Sequence, residues 1–397
     1  MNIKILQISP QVPLPSDDGG KISIYGITKC LSERGHEIHF VCYRKEADEK
    51  WAQKKLSEVC KPYLLNVNTQ NKLLPALGNL PSKIPYNVSK FIRKEMKQFL
   101  KEFFSKNQVD IIHIDNLHMA WCIDEIKKYC DAPIVLRQHN LEMKIMQRFS
   151  DNTKNPLLKV FAKVQARKFM SYEPEMCLKM DMCLMITKQD ELELLALNKK
   201  IKTKTLSVGV EDSLFKIFQT DYERFSLFHI GNLNWLPNKD GLDWFIEKVL
   251  PLIVKQIPEV KLYVYGKNVD KISIPEELNE NIIGIGYVEN IWTEILNKNL
   301  AIVPLRIGSG IRIKIIELLA AGYPVISTSI GKEGLNLSTG HDLLVADSPE
   351  LFADNIVSFF LEKFDRESII KNGREKIFEE YSWSKIGDNL EKLYINL

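Results

Sequence analysis

Three cations, two glycines and a carboxylate crowd one short stretch of this 397-residue chain: Arg306, Gly308, Gly310, Arg312, Lys314 and Glu317. An apolar strand, Ile302 to Leu305, runs into a loop, Arg306 to Gly310, that holds both glycines and Ser309. A helix is expected from about Ile311, with Arg312 and Lys314 in its first turn and Glu317 slightly further in. Ala320, Ala321 and Gly322 close that helix, and a second apolar strand, Pro324 to Ser327, starts at once. Backbone N–H groups at a helix N-terminus, glycines that let a ligand approach and fixed positive charge together make an anion site. The best-fitting anion is a diphosphate. A carboxylate one turn deeper only accepts hydrogen bonds when ionised, which suits a sugar or ribose hydroxyl pair. Taken singly, Arg312 and Lys314 also read as solvated helix charges and Glu317 as a surface partner of Lys314. The weight lies in the unbroken order of strand, glycine loop, basic turn, carboxylate and small-residue helix end.

In that order the stretch resembles the donor-site helix of the retaining glycosyltransferases of family 4, whose fold is called GT-B. That helix typically reads R-x-K-x-x-E-A-x-A-x-G-x-P-V-[VI]-x-[ST]. Arg312, Lys314, Glu317, Ala320, Gly322, Pro324, Val325, Ile326 and Thr328 match it, Glu333-Gly334-Leu335 complete it, and Leu318 replaces the usual Ala. Upstream, FHIGNLNWLPNKDGLDWF resembles a branch with G-[SN]-[ML]-x-[WY]-x-P-N, matched by Gly231, Asn232, Leu233, Trp235, Pro237 and Asn238. The resemblance implies that Arg312 and Lys314 act on the donor diphosphate, with Asn232, Asn238, Arg306, Gly308, Ser309, Gly310 and Glu317 around the donor. Two positions depart from it. Asn232 stands where most members carry arginine, and Ser309, eight residues before Glu317, stands where many carry a first glutamate. Arg306, Arg312 and Lys314 still supply cations. No D-x-D triplet occurs, which argues against a divalent metal carrying the diphosphate charge.

The loop Ser9–Lys21, SPQVPLPSDDGGK, resembles the family's other glycine loop, with Gly19 and Gly20 as the matching positions. A plain Pro-rich turn is the competing reading. A Walker loop is excluded because position 15 is proline, and no G-x-G-x-x-G follows any strand. His139 follows the expected strand Ile134–Leu136, where the family places a histidine that contacts the donor sugar. Arg137 is a second candidate contact, Asn140 a candidate cap for the next helix, and His113 and His118 read as capping or packed residues.

Alternating strands and helices must position these residues. Expected strands Ile3–Ile8, Ile38–Tyr43, Ile111–Ile114, Ile134–Leu136 and Cys183–Ile186, with helices between them, give a doubly wound first half. A second round starts at Leu227–Ile230 and continues through Lys261–Tyr265, Ile282–Gly284, Ala301–Pro304, Val325–Thr328 and Leu343–Val345. The fold class is therefore α/β: two facing Rossmann-like domains with an interdomain cleft, since such sheets bind ligands beyond the carboxyl ends of their strands. The expected bounds are 1–206 for the acceptor side, 207–380 for the nucleotide-sugar side and 381–397 for a helix returning to the first domain.

A net charge of +3 is too small to argue for nucleic acid, and seven cysteines without a C-x-x-C pair read as free thiols in a reducing cytosol. No run approaches the roughly 20 apolar residues of a membrane span. The expected location is cytoplasmic, or peripheral at the inner face of the cell membrane. Two basic stretches, Lys90–Lys106 and Lys154–Lys168, read either as amphipathic helices that dock on anionic lipid or as core-facing helices with a solvated face. The expected activity is metal-independent, cofactor-free transfer from a nucleotide sugar to a glycan or lipid-linked glycan with retention. A nucleotide-sugar epimerase and a catalytically silent binding partner of a polysaccharide-assembly complex stand as alternatives on the same fold.

Overall fold

The computed structural model describes residues 2–16, 18–44, 50–153, 155–217, 221–308 and 310–397. The chain forms two compact units, Met1–Gly209 with Ile386–Leu397, and Val210–Lys385.

In the first unit the strands are β1 (Lys4–Ser9), β2 (Glu37–Arg44), β3 (Lys61–Asn66), β4 (Ile111–Asp115), β5 (Ile134–Gln138), β6 (Met182–Met185) and β7 (Thr203–Thr205). They pair in the order β3-β2-β1-β4-β5-β6-β7, parallel throughout. Central strands such as β4 and β5 are buried along their whole length and begin with apolar residues, Ile111-Ile112 and Ile134-Val135-Leu136. The edge strands β3 and β7 are only half-buried and escaped the sequence reading for that reason. Asp18 caps the helix Gly19–Glu33, its Oδ1 accepting from Lys21 N at 2.9 Å. The next cap differs from expectation. The helix Glu142–Asn152 starts after Leu141, and its first two N–H groups, on Glu142 and Met143, are taken by the Glu173 carboxyl at 3.1 Å each, so Asn140 is not its cap. Tyr394, near the end of the helix Trp383–Ile395, bonds His113 Nδ1 at 2.5 Å.

The second unit carries β8 (Ser226–Ile230), β9 (Lys261–Tyr265), β10 (Ile282–Gly286), β11 (Leu300–Val303), β12 (Val325–Ser327) and β13 (Leu344–Val345), in the order β10-β9-β8-β11-β12-β13, again parallel. Each unit has its own apolar core, one around Leu6, Ile112 and Phe169, the other around Leu227, Phe245 and Phe352. Both sheets reverse direction once, between β1 and β4 and between β8 and β11. Loops leaving neighbouring strands on the two sides of such a reversal diverge and open a crevice at the carboxyl ends. In the second unit, the loop after β8 carries Asn232 to Trp235 and leads into the helix bearing Asn238, and the loop after β11 carries Arg306 to Arg312 and leads into the helix bearing Lys314. Topology alone thus places the two motifs side by side. The seven cysteines are free thiols, with Cys60 and Cys130 only half-buried.

Candidate functional site

The crevice of the second unit is built by backbone economy. Asn232 turns the chain after β8: its Oδ1 accepts from Asn234 N at 3.0 Å, and its carbonyl accepts from Trp235 N at 3.1 Å. The helix Leu236–Trp244 then starts with Pro237 inside its first turn, where a missing N–H costs nothing. Asn238, 4 % exposed, donates from Nδ2 to the Asn232 carbonyl at 3.1 Å. Its Oδ1 faces the other loop and accepts from Lys314 Nζ at 2.9 Å, while the Ile230 carbonyl accepts from the same ammonium at 2.7 Å. An ammonium has three donors, so one direction remains for a ligand. Gly241 lets this helix lie against the second loop, since a Cβ there would come within 2.3 Å of the Pro304 carbonyl.

Burial pulls the Lys314 ammonium down to about 7, helped by Arg312 and opposed by Glu317. Burial also raises the Glu317 carboxyl, with Lys314 holding it back. The two residues thus share a poorly hydrated site in which charge is expensive unless a partner arrives. Arg312 departs from expectation. The helix runs Ile313–Ala320, so Arg312 sits at its cap with ψ 89, just outside the first turn. Its guanidinium lies 5.8 Å from the Trp235 ring centroid. Gly308, with φ +123, accommodates that side chain, because a Cβ there would come within 2.7 Å of Arg312 Nη2. Gly310 also has positive φ, +81, so both glycines serve the loop conformation. Ser309 lies outside the described residues. Arg306, expected to face the anion, forms a bidentate pair with Asp240 instead, Nε to Oδ2 at 3.0 Å and Nη2 to Oδ1 at 2.9 Å.

One residue here was missed from the sequence. His229 on β8 is buried, its Nδ1 faces the Ile302 carbonyl at 3.3 Å, and its Nε2 has no partner among the described residues. Burial and the nearby Lys314 charge push it down to about 3, so it is neutral. A Cβ on Gly231 would lie 2.9 Å from that Nε2 and 2.7 Å from Asn238 Nδ2, so a side chain there would displace both groups. The signal was present as a histidine two positions before that glycine, following the apolar pair Leu227-Phe228.

In the first unit, Gly19 and Gly20 open the helix after β1, and a Cβ on Gly20 would come 3.5 Å from His139 Nδ1. The topology therefore joins the glycine loop to the residue after β5. His139 Nε2 is buried without a partner among the described residues. Burial and the Arg137 charge lower it to about 4 against the pull of Asp115, so the ring is neutral at physiological pH. Beneath it lies a polar network: Asp115 takes Gln7 Nε2 at 2.7 Å and His113 Nε2 at 3.2 Å, and Gln7 takes Thr28 Oγ1 at 2.8 Å. Arg137 is fully buried and donates to the carbonyls of Ser23 and Ser207 at 3.3 and 2.8 Å, a structural use rather than a ligand contact. His118 is bound to Asn116 and packs on Phe91, so it too is structural.

Two parallel sheets with one reversal each, flanked by helices, define the GT-B class of folds. Over the whole chain the structure is similar to sucrose-phosphate synthase from Thermosynechococcus elongatus, with a TM-score of 0.68, 16% identity and 99% of that chain covered. It is likewise similar to Anabaena HepE in complex with UDP, with a TM-score of 0.67 and 11% identity over both full chains. Residues 224–361, which contain both loops of the second crevice, match the family described as glycosyl transferases group 1. An uncharacterized 44.6 kDa protein in the cps region of Klebsiella pneumoniae is 25% identical over 98% of this chain and 99% of its own length. An uncharacterized glycosyltransferase of Methanocaldococcus jannaschii is 22% identical over 100% of this chain and 97% of its own.

Proposed function

We propose that this chain is a retaining, metal-independent glycosyltransferase. It takes a sugar from a nucleotide-diphosphate sugar to a glycan or lipid-linked glycan acceptor in surface polysaccharide or glycoconjugate synthesis. The observation that carries this reading is Lys314, an ammonium held by Asn238 and the Ile230 carbonyl at the sheet's reversal point with one N–H direction to spare. As the glycosidic bond breaks, the diphosphate gains charge, and Lys314, Arg312 and the adjacent helix N-terminus stabilise it without reorganising, usually the largest catalytic contribution. Glu317 accepts hydroxyls of the ribose or sugar, and His139 contacts the sugar. The leaving phosphate takes the acceptor proton on the same face, so no protein nucleophile is needed. The neighbour solved with UDP makes uridine diphosphate the first ligand to try, and the cps-region relative supports a polysaccharide acceptor.

A second reading, a nucleotide-binding partner without turnover, is favoured by the engagement of Arg306 by Asp240, and it agrees with Asn232 standing where most members of the resembled family carry arginine. Thermal stabilisation by uridine, guanosine and adenosine diphosphates identifies the base. Release of free nucleoside diphosphate from the matching sugar donor, only when acceptor glycans are added, then separates transfer from silent binding and from epimerisation.

A further inference from the structure

His139, Asn140 and Leu141 bridge the gap between the end of β5 at Gln138 and the start of the helix Glu142–Asn152. A single other element, the helix Pro156–Lys179, grips the chain on both sides of that gap. On the far side, Glu173 Oε1 accepts from Glu142 N and Oε2 from Met143 N, at 3.1 Å each. On the near side, Cys177 Sγ accepts from Gln138 Nε2 at 2.9 Å. Residues 173 and 177 stand one turn apart on one face of their helix. Gln138 is already fixed by its pairing with Met185 in the sheet. The three-residue bridge that carries His139 is therefore suspended between two holds.

A carboxyl group is an uncommon choice for the second hold. The first N–H groups of a helix are ordinarily met by a local Ser, Thr, Asp or Asn. The residue before this helix is Leu141, which has no acceptor to offer. Glu173 reaches in from another helix instead. It is 0% exposed and has no cation as a partner among the described residues. Burial pushes its carboxyl up to about 8, opposed by the Met143 and Glu142 N–H groups and reinforced by the charges of Glu142 and Asp190. Burying such a group costs free energy that an apolar side chain would not. What it supplies is a pair of acceptor oxygens in register with two consecutive N–H groups, and hence a defined place for the helix start.

We infer that Glu173 is a positioning residue for His139. Its two hydrogen bonds fix where the helix Glu142–Asn152 begins, which sets the course of residues 139–141 and the place of the imidazole beside Gly20. Cys177 steadies the other end of the same bridge. Glu173 touches no substrate, so its effect on the rate passes through the ring. This rests on the reading that His139 contacts the donor sugar. A catalytic group misplaced by about 1 Å costs on the order of 100-fold in rate, so a small shift of the bridge is enough.

The test is Glu173→Gln made in the parent and in His139→Ala. Glutamine keeps the size of the side chain, but it has one acceptor oxygen and turns an amide N–H toward one of the two backbone N–H groups. In the parent, kcat should fall about tenfold; in His139→Ala the same change should cost less than about twofold. Nucleoside diphosphate affinity should be unchanged. A second arm reads the ring itself in protein labelled with nitrogen-15 histidine. The His139 signals, assigned by their loss in His139→Ala, should move in Glu173→Gln while those of His229 in the other unit stay. Glu173→Asp, which keeps the carboxyl and shortens its reach by one carbon, serves both arms if the glutamine variant does not fold. Equal losses of kcat in the two backgrounds would make Glu173 part of the scaffold and overturn the inference, as would unmoved His139 signals. If His139→Ala alone keeps the parent kcat, the sugar-contact reading falls. The ring signals then decide by themselves, upholding the hold of Glu173 on His139 if they move and overturning it if they do not.

Discussion

Lys314 Nζ donates to Asn238 Oδ1 at 2.9 Å, so a lysine from the helix that follows β11 is aimed by an amide from the helix that follows β8. The sheet reversal sets the starts of these two helices side by side. Replacing Asn238 by leucine keeps the bulk and removes the acceptor. Affinity for the best-stabilising nucleoside diphosphate should then fall about tenfold, the equivalent of one hydrogen bond to a charged group. Calorimetry that returns the parent affinity would show that Lys314 aims itself.

Lys314 also predicts a pH dependence. Its ordinary value of 10.5 drops to about 7 in the fold, and only the ammonium pairs with a diphosphate. Nucleoside diphosphate affinity should therefore weaken as pH rises from 7 to 9, and Lys314→Gln should flatten the profile. For stability the sign runs the other way. Between about 7 and 10.5 the unfolded chain binds more protons at this residue than the folded one, so the Lys314 contribution to stability without ligand rises with pH across that window. A titration of Lys314→Gln with the parent slope in both measurements would remove the residue from the site.

Glu317 has no side-chain partner among the described residues, and its burial makes an unused carboxylate costly. Glu317→Gln should weaken nucleoside diphosphate binding by about tenfold, since a charged acceptor becomes a neutral amide facing hydroxyls. Inorganic pyrophosphate, which lacks the ribose, should bind the variant and the parent alike. Loss of both ligands together would place Glu317 under Lys314 rather than under the ribose.

The sequence carried the second unit better than the first. Its strands β11 and β12 are buried throughout, and its motif residues follow one another in the order in which the chain builds the crevice. What stayed hidden was long-range or conformational. Arg306 and Asp240 are 66 residues apart, so nothing local announces their pair. Arg312 lies outside the helix because its ψ is 89, and a residue type does not reveal a dihedral angle. β3 and β7 lack two buried faces and hence the continuous apolar run of a central strand. His229 gave only a single buried polar letter, which packing usually explains. The basic stretches looked alike as text, yet one turns its apolar face into the core and the other turns three apolar residues, Leu157, Leu158 and Val160, outward.

Transfer should survive excess chelator. Lys314 and Arg312 supply positive charge at the crevice, and no group of three metal-binding side chains occurs among the described residues. Turnover measured with and without a chelator, then with added manganese, decides it. Abolition followed by rescue would require a metal carrying the diphosphate.

His139 separates a contact with the sugar from a role in packing. Its Nδ1 would lie 3.5 Å from a Cβ on Gly20, and its Nε2 is buried without a partner among the described residues. A neutral ring is fit to hydrogen-bond a sugar hydroxyl, and with a value near 4 it should put no inflection into the rate between pH 6 and 8. His139→Ala should lower kcat by about tenfold or more, the scale of one hydrogen bond made in the transition state. Nucleoside diphosphate, which lacks the sugar, should bind the variant as it binds the parent. A packed histidine predicts the reverse, a lower urea midpoint with kcat unchanged in the folded fraction, because deleting buried atoms leaves a cavity whatever the reaction. Measuring kcat, diphosphate affinity and the urea midpoint on one preparation distinguishes the two. An unchanged kcat would assign His139 to the scaffold that holds Gly20 and Asp115.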